Sequence, residues 1–168
     1  VNRVSTWTIA VTEEEREEAA LFICKYSAGL GLRYNWCTIM NSLVYCIEDN
    51  GLLIGRGQDG GIIGVLAHTV GTLEDGYKDR SRIEVHLLFV EGGRRKGAAV
   101  LPAVRLLTRK LLEQPAEVSE IVFFAPATEN NRRRFGGSAE LTKTTEPPCG
   151  RLDFYTVAFD RMLKLDYA

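Results

Sequence analysis

Nowhere does this chain run apolar for anything near the roughly 20 residues that a membrane-spanning helix needs. Its start, Val1–Thr8, is too polar to read as a signal peptide. An excess of one charge is missing too. Lys plus Arg total 21 and Asp plus Glu total 22, so net charge gives no argument for nucleic acid or an anionic membrane as partner. The cysteines Cys24, Cys37, Cys46 and Cys149 form no Cys-x-x-Cys pair, which favours buried reduced thiols over metal ligands or disulfides and fits a cytoplasmic protein. No metal is expected. There is no internal repeat and no linker long enough to divide domains, so residues 1–168 are expected to form a single domain. With 45% hydrophobic residues the chain can bury a sizeable core.

What is present is a regular alternation of helix and strand signals. Thr12-Glu13-Glu14-Glu15 is a capping box, and Ala19, Phe22, Ile23 and Tyr26 follow at helical spacing. This predicts a first helix over Thr12–Ala28, ended by Gly29 and Gly31. Asn35 can cap a second, striped by Trp36, Ile39, Met40, Leu43, Val44 and Ile47 and closed by Asn50-Gly51. The runs Leu52–Arg56 and Gly61–Val70 flank Asp59-Gly60, a tight hairpin signal. Arg82–Val90 reads as a strand, then a helix striped by Val100, Val104, Leu107 and Leu111, with Pro102 near its start. Ile121–Ala125 is a short apolar strand and Thr128–Gly137 a short helix. Glu140–Thr145 and Leu152–Phe159 read as a final strand pair around Pro147-Pro148-Cys149-Gly150, and Thr6–Val11 allows one more strand at the start. Interleaved strands and helices predict an α/β fold, one sheet covered by helices.

The chemistry concentrates in Arg82–Ala99, RIEVHLLFVEGGRRKGAA: an apolar strand, a Gly-rich basic turn, and the start of a helix. Free N–H groups at a helix N-terminus, the positive end of its dipole and adjacent cations suit a phosphorylated ligand. A P-loop is one reading, since Gly92 and Gly97 have its spacing. However, Ala98 and Ala99 stand where its Lys and Ser/Thr would be, which removes the main charges for nucleotide hydrolysis. A purely structural turn with solvated arginines is another.

Arg94, Gly97 and Ala99 match the Arg/Gln-x-x-Gly-x-Gly/Ala signature, and Val90–Ala99 resembles the surrounding segment, of the GCN5-related N-acetyltransferases (GNAT). The hairpin Asp59–Gly64 and the strand Ile121–Ala127 followed by Thr128-Glu129-Asn130-Asn131 also resemble that family, so the likeness runs from about Thr12 to Phe159. It implies an acetyl-CoA-dependent N-acetyltransferase with a mixed central sheet splayed at the acyl-CoA site and helices on both faces. Arg94, Arg95, Lys96, Gly97, Ala98 and Ala99 would hold the coenzyme pyrophosphate, largely through backbone N–H groups. The main chain of Leu88, Phe89 and Val90 would pair with the pantetheine arm, and Asn130 or Asn131 would line the gap in the sheet. The sequence departs from the family pattern in two places. Arg94-Arg95 replaces the usual Arg-Gly, and Ala99 replaces the second glycine.

Transfer to an amine needs a base. Glu84 and His86 lie two apart on the strand and so share a face, with Ile83, Val85, Leu87 and Phe89 on the other. Glu84 also resembles the family's general-base glutamate; the alternative is a surface residue paired with Arg80 or Arg82. The family's usual acid is a Tyr on the helix after the Asn, but Gly137 stands there. Tyr155 is then the nearest substitute, with a structural tyrosine as the alternative. The expected partners are a small-molecule or protein amine acceptor, and a homodimer is allowed for. Arg132-Arg133-Arg134 reads as a solvated helix face, a contact for the 3′-phosphate of the coenzyme, or a site for an acidic or nucleic-acid substrate, which keeps open a nucleic-acid-modifying transferase of the kind that phages carry, while the missing Gly and Tyr keep open an inactive binding protein of the same fold.

Overall fold

The structure is a computed structural model, in which residues 6–27, 36–91, 97–115, 117–147 and 150–166 are described. Strands β1 (Thr6–Ile9), β2 (Leu52–Arg56), β3 (Ile62–Val70), β4 (Arg82–Val90), β5 (Glu120–Pro126), β6 (Glu140–Thr145) and β7 (Leu152–Ala158) form one sheet in the order β1-β2-β3-β4-β5-β7-β6. Helices are α1 (Glu13–Tyr26), α2 (Trp36–Glu48), α3 (Gly97–Leu112), α4 (Glu129–Phe135) and α5 (Phe159–Asp166). Among the described strands only β4 and β5 form a parallel ladder, with α3 as the crossover that parallel pairing requires.

The local signals act as expected at several points. Thr12 Oγ1 accepts from the Glu15 N–H at 3.1 Å while Glu15 Oε2 accepts from the Thr12 N–H at 3.1 Å, completing the capping box. Gly60, at φ 83°, turns the β2–β3 hairpin. Gly51 is fixed by contact rather than by φ, because a Cβ there would lie 1.8 Å from the His68 carbonyl oxygen.

Helices cover both faces. Phe22 and Ile23 of α1 and Leu43 and Cys46 of α2 pack on Ile54, Val65, Ala67, Leu87 and Phe89. On the opposite face Ala103, Leu107 and Leu111 of α3 and Phe159 and Met162 of α5 pack on Leu53, Leu66, Ile83 and Ile121.

Three expectations are corrected. Phe159 does not end a strand but begins α5, whose Phe159 and Met162 are buried against α3. Met40 and Val44 of α2 are about half exposed, so the described core stripe of that helix is Leu43, Cys46 and Ile47. Finally, Leu87 and Phe89 do not share a face with Ile83 and Val85. Ala67 pairs with Leu87 but His68 with Val85, so His86 is an extra residue in β4, a β-bulge. The bulge moves the later side chains onto the α1/α2 face.

Candidate functional site

The β4–β5 ladder ends where the bulge begins. Its pairs run from Arg82↔Glu120 to Val85↔Phe123, whereas β5 stays paired with β7 as far as Pro126↔Leu152. The sheet is therefore open between residues 86–90 of β4 and 124–126 of β5. A strand edge without its ladder presents backbone N–H and C=O groups to whatever enters the gap. Leu88, Phe89 and Val90 lie on this edge.

At the head of the gap, on the α1/α2 face, Glu84 is only 5% exposed. Among the described residues no arginine forms an ion pair with it: Arg82 pairs with Glu120, and Arg80 approaches Asp49 at 3.6 Å. Instead the Leu73 N–H donates to Glu84 Oε2 at 2.9 Å, from a short 3-10 turn, Leu73–Asp75, that follows β3. Burial pushes the Glu84 carboxyl above the usual range, against the opposing pull of the Leu73 N–H and Arg82, with Glu74 and Asp75 adding to the rise.

His86 Nδ1 lies 3.7 Å from Glu84 Oε1. Its other nitrogen, Nε2, is 2.9 Å from Thr69 Oγ1. The Thr69 hydroxyl also donates to the Gly71 carbonyl at 3.1 Å. Burial holds the ring's pKa down to about 4, so the ring is neutral near pH 7.

Beside this group a cleft of about 380 Å³ opens between the end of α2 and the turn after β3, lined by Tyr45, Glu48, Asp49, Leu73 and Tyr77 among others. The Tyr45 and Tyr77 rings pack with centroids 4.4 Å apart. Tyr77 holds φ 63°, unusual for an aromatic residue, and burial with Glu84 nearby pushes its hydroxyl up to about 12.

The remaining expected site residues are placed as follows. Arg94, Arg95 and Lys96 lie outside the described residues. Gly97, Ala98 and Ala99 form the first turn of α3, directly after that segment. The Ala99 carbonyl accepts from the Trp7 indole N–H at 3.2 Å, and Trp7 lies so close over Gly55 and Gly64 that a Cβ at either would meet its ring at 2.8–2.9 Å. Before the undescribed segment, the Tyr26 hydroxyl donates to the Glu91 carboxylate. Asn131 serves the end of β5, its Nδ2 donating to the Pro126 carbonyl at 2.9 Å, while Asn130 is exposed.

Tyr155 is not brought to Glu84. Val122 pairs with both Glu84 and Thr156, so Tyr155 points to the opposite face. There it is 1% exposed, stacked on Phe123 at 5.2 Å and packed on Phe135, with its hydroxyl donating to Asp153 at 3.4 Å. It is a core residue. The basic helix is also largely committed. Arg132 donates to both Asp153 oxygens at 2.7 and 3.0 Å, and Arg133 approaches Glu129 at 3.6 Å. No group of His, Cys, Asp and Glu among the described residues could hold a metal ion.

Thr69, the Leu73 N–H and Tyr77 carried no sequence signal. Each depends on the register of β3 against β4 and on the loop joining them.

No protein-family model and no curated protein matches the chain in sequence. Solved structures do match it in fold. A GNAT-family acetyltransferase from Bacillus cereus superposes with a TM-score of 0.57 at 13% identity, covering 91% of this chain and 96% of that one. Arylalkylamine N-acetyltransferase 2 from Aedes aegypti gives 0.64 at 12% identity, covering 91% and 98%. The aminoglycoside acetyltransferase AAC(6')-Ib, solved with coenzyme A and kanamycin, gives 0.60 at 13% identity, covering 95% and 97%. The fold is that of the GCN5-related N-acetyltransferases.

Proposed function

We propose that this protein is an acyl-CoA-dependent N-acetyltransferase that moves acetyl from acetyl-CoA to a primary amine by direct attack within a ternary complex. The observation that carries this reading is the pairing of an opened β4 edge with a buried carboxylate at its head. The pantetheine arm enters the gap and pairs with the main chain of Leu88–Val90. The pyrophosphate lies on the segment from Arg94 to Ala99, where the dipole of α3 favours an anion.

The acceptor approaches Glu84 from the cleft lined by Tyr45, Asp49, Leu73 and Tyr77, whose aromatic surfaces suit the carbon skeleton and charge of an amine. Glu84 removes a proton from the ammonium, which frees the nitrogen lone pair. The nitrogen attacks the thioester carbonyl, the C–N bond forms, the C–S electron pair leaves on sulfur, and the nitrogen gives up its second proton to solvent to leave the neutral amide. A thiol has an ordinary pKa of about 8.5, so the thiolate departs without a dedicated acid and is protonated by solvent. Tyr155 has no part in this scheme.

The test is release of coenzyme A thiol from acetyl-CoA across a panel of amines. Wild type is expected to release thiol only with an acceptor. Glu84→Gln is expected to slow it about 10²–10⁴-fold at unchanged acetyl-CoA affinity. Unchanged turnover in that variant removes Glu84 as the base.

A further inference from the structure

We infer that Thr69 is a positioning residue which, by fixing the tautomer of His86, makes that histidine strengthen Glu84 as a base; the inference rests on the proposed role of Glu84. The Thr69 hydroxyl is fully buried, and its single proton is directed at the Gly71 carbonyl, an atom that can only accept. The oxygen therefore offers a lone pair to His86 Nε2 at 2.9 Å. His86 keeps its proton on Nε2 and turns an unprotonated Nδ1 toward Glu84 Oε1, 3.7 Å away.

The sign of the effect follows. A bare Nδ1 has nothing to donate to an ionised carboxylate. Once Glu84 has taken the proton of the amine, its O–H can close on that lone pair. A hydrogen bond made only to the neutral form raises a carboxyl pKa, whereas an Nδ1–H would donate to the ionised form and lower it. The same ring in the other tautomer would weaken the base. His86 is the bulge residue of β4, and its ring contacts Thr69 on the neighbouring strand while lying beside Glu84.

The other groups acting on Glu84 do not involve Thr69. They are the Leu73 N–H, Tyr77, Glu74 and Asp75 of the loop after β3, Cys46 of α2, and Arg82 of β4.

The experiment combines two readouts. Two-bond ¹⁵N NMR reports which ring nitrogen carries the proton, and with two histidines in the chain the His86→Gln variant assigns the signals. Wild type at pH 7 is expected to show His86 protonated on Nε2. An Nδ1–H tautomer in wild type overturns the inference without any variant.

The second readout is the ¹³C titration of the Glu84 carboxyl in folded protein, which needs no activity and so separates this inference from the proposed reaction. Thr69→Val keeps the shape and removes the acceptor, and is expected to lower the Glu84 titration by about one pH unit. Thr69→Ser is expected to restore it. The acid limb of kcat/KM should move in parallel. A Glu84 titration that is the same in wild type, Thr69→Val and Thr69→Ser contradicts a positioning role.

Discussion

Lys110 Nζ and His68 Nε2 meet 3.1 Å apart on the α3 face of the sheet, with the same ammonium reaching the Asp49 carbonyl at 3.2 Å. An ammonium only donates, so His68 accepts at Nε2 and carries its proton on Nδ1, opposite to His86. The ¹⁵N spectrum is therefore expected to show one histidine of each tautomer. Two rings of the same tautomer would contradict the geometry.

Both rings are held neutral, His68 down to about 3 and His86 down to about 4, in each case chiefly by burial. In the unfolded chain both regain the ordinary histidine value near 6.5. Between those values the unfolded state binds more protons, so stability should fall as pH drops below about 6.5, by up to about 1.4 kcal/mol per pH unit for each ring. Glu84 acts in the opposite sense, since its raised pKa favours the folded form at low pH. Urea unfolding at pH 7 and pH 5 checks the balance. A lower midpoint at pH 5 is expected, and a shallower pH slope in His86→Gln. A midpoint that rises at pH 5 contradicts it.

Arg132 should matter to stability more than its neighbour. Asp153 is fully buried and accepts from Arg132, the Thr144 hydroxyl at 2.7 Å and Tyr155. Removing Arg132 leaves a buried carboxylate without its cation. Arg132→Ala is expected to lower the denaturant midpoint, and Arg133→Ala, at a highly exposed side chain, to leave it nearly unchanged. Equal effects would mean that the Asp153 pair is not structural.

Gly51 and Gly137 make a matched contrast. A Cβ at Gly51 collides with backbone at 1.8 Å, whereas at Gly137 nothing lies within 4 Å. Gly51→Ala is expected to cost about 3 kcal/mol or more by overpacking, and Gly137→Ala to fall within about 0.5 kcal/mol of wild type. Thermal unfolding of the two variants separates them.

Much of this fold was legible because its signals are local. The Thr12–Glu15 capping box, Asp59-Gly60 and the stripe of α3 depend on neighbours a few residues apart, and each element formed close to where they place it. What was not legible depends on register. Nothing in RIEVHLLFV marks His86 as a bulge, yet that one residue reverses the faces of Leu87 and Phe89 and ends the β4–β5 ladder. The face of Tyr155 likewise depends on the parity of pairing through Val122. The Arg132–Asp153 pair was not legible because the two residues lie 21 apart in sequence. The α5 helix was missed because its short apolar stripe directly continues the strand before it.

The central claim is that acetyl-CoA occupies the gap between β4 and β5 with its pyrophosphate at the start of α3. Calorimetric titration of acetyl-CoA into wild type and Gly97→Val tests it most directly, since a bulky side chain there blocks close approach to the backbone. The account predicts saturable one-to-one binding to wild type and its loss in a folded Gly97→Val variant. No binding to wild type, or equal binding to both, would contradict it.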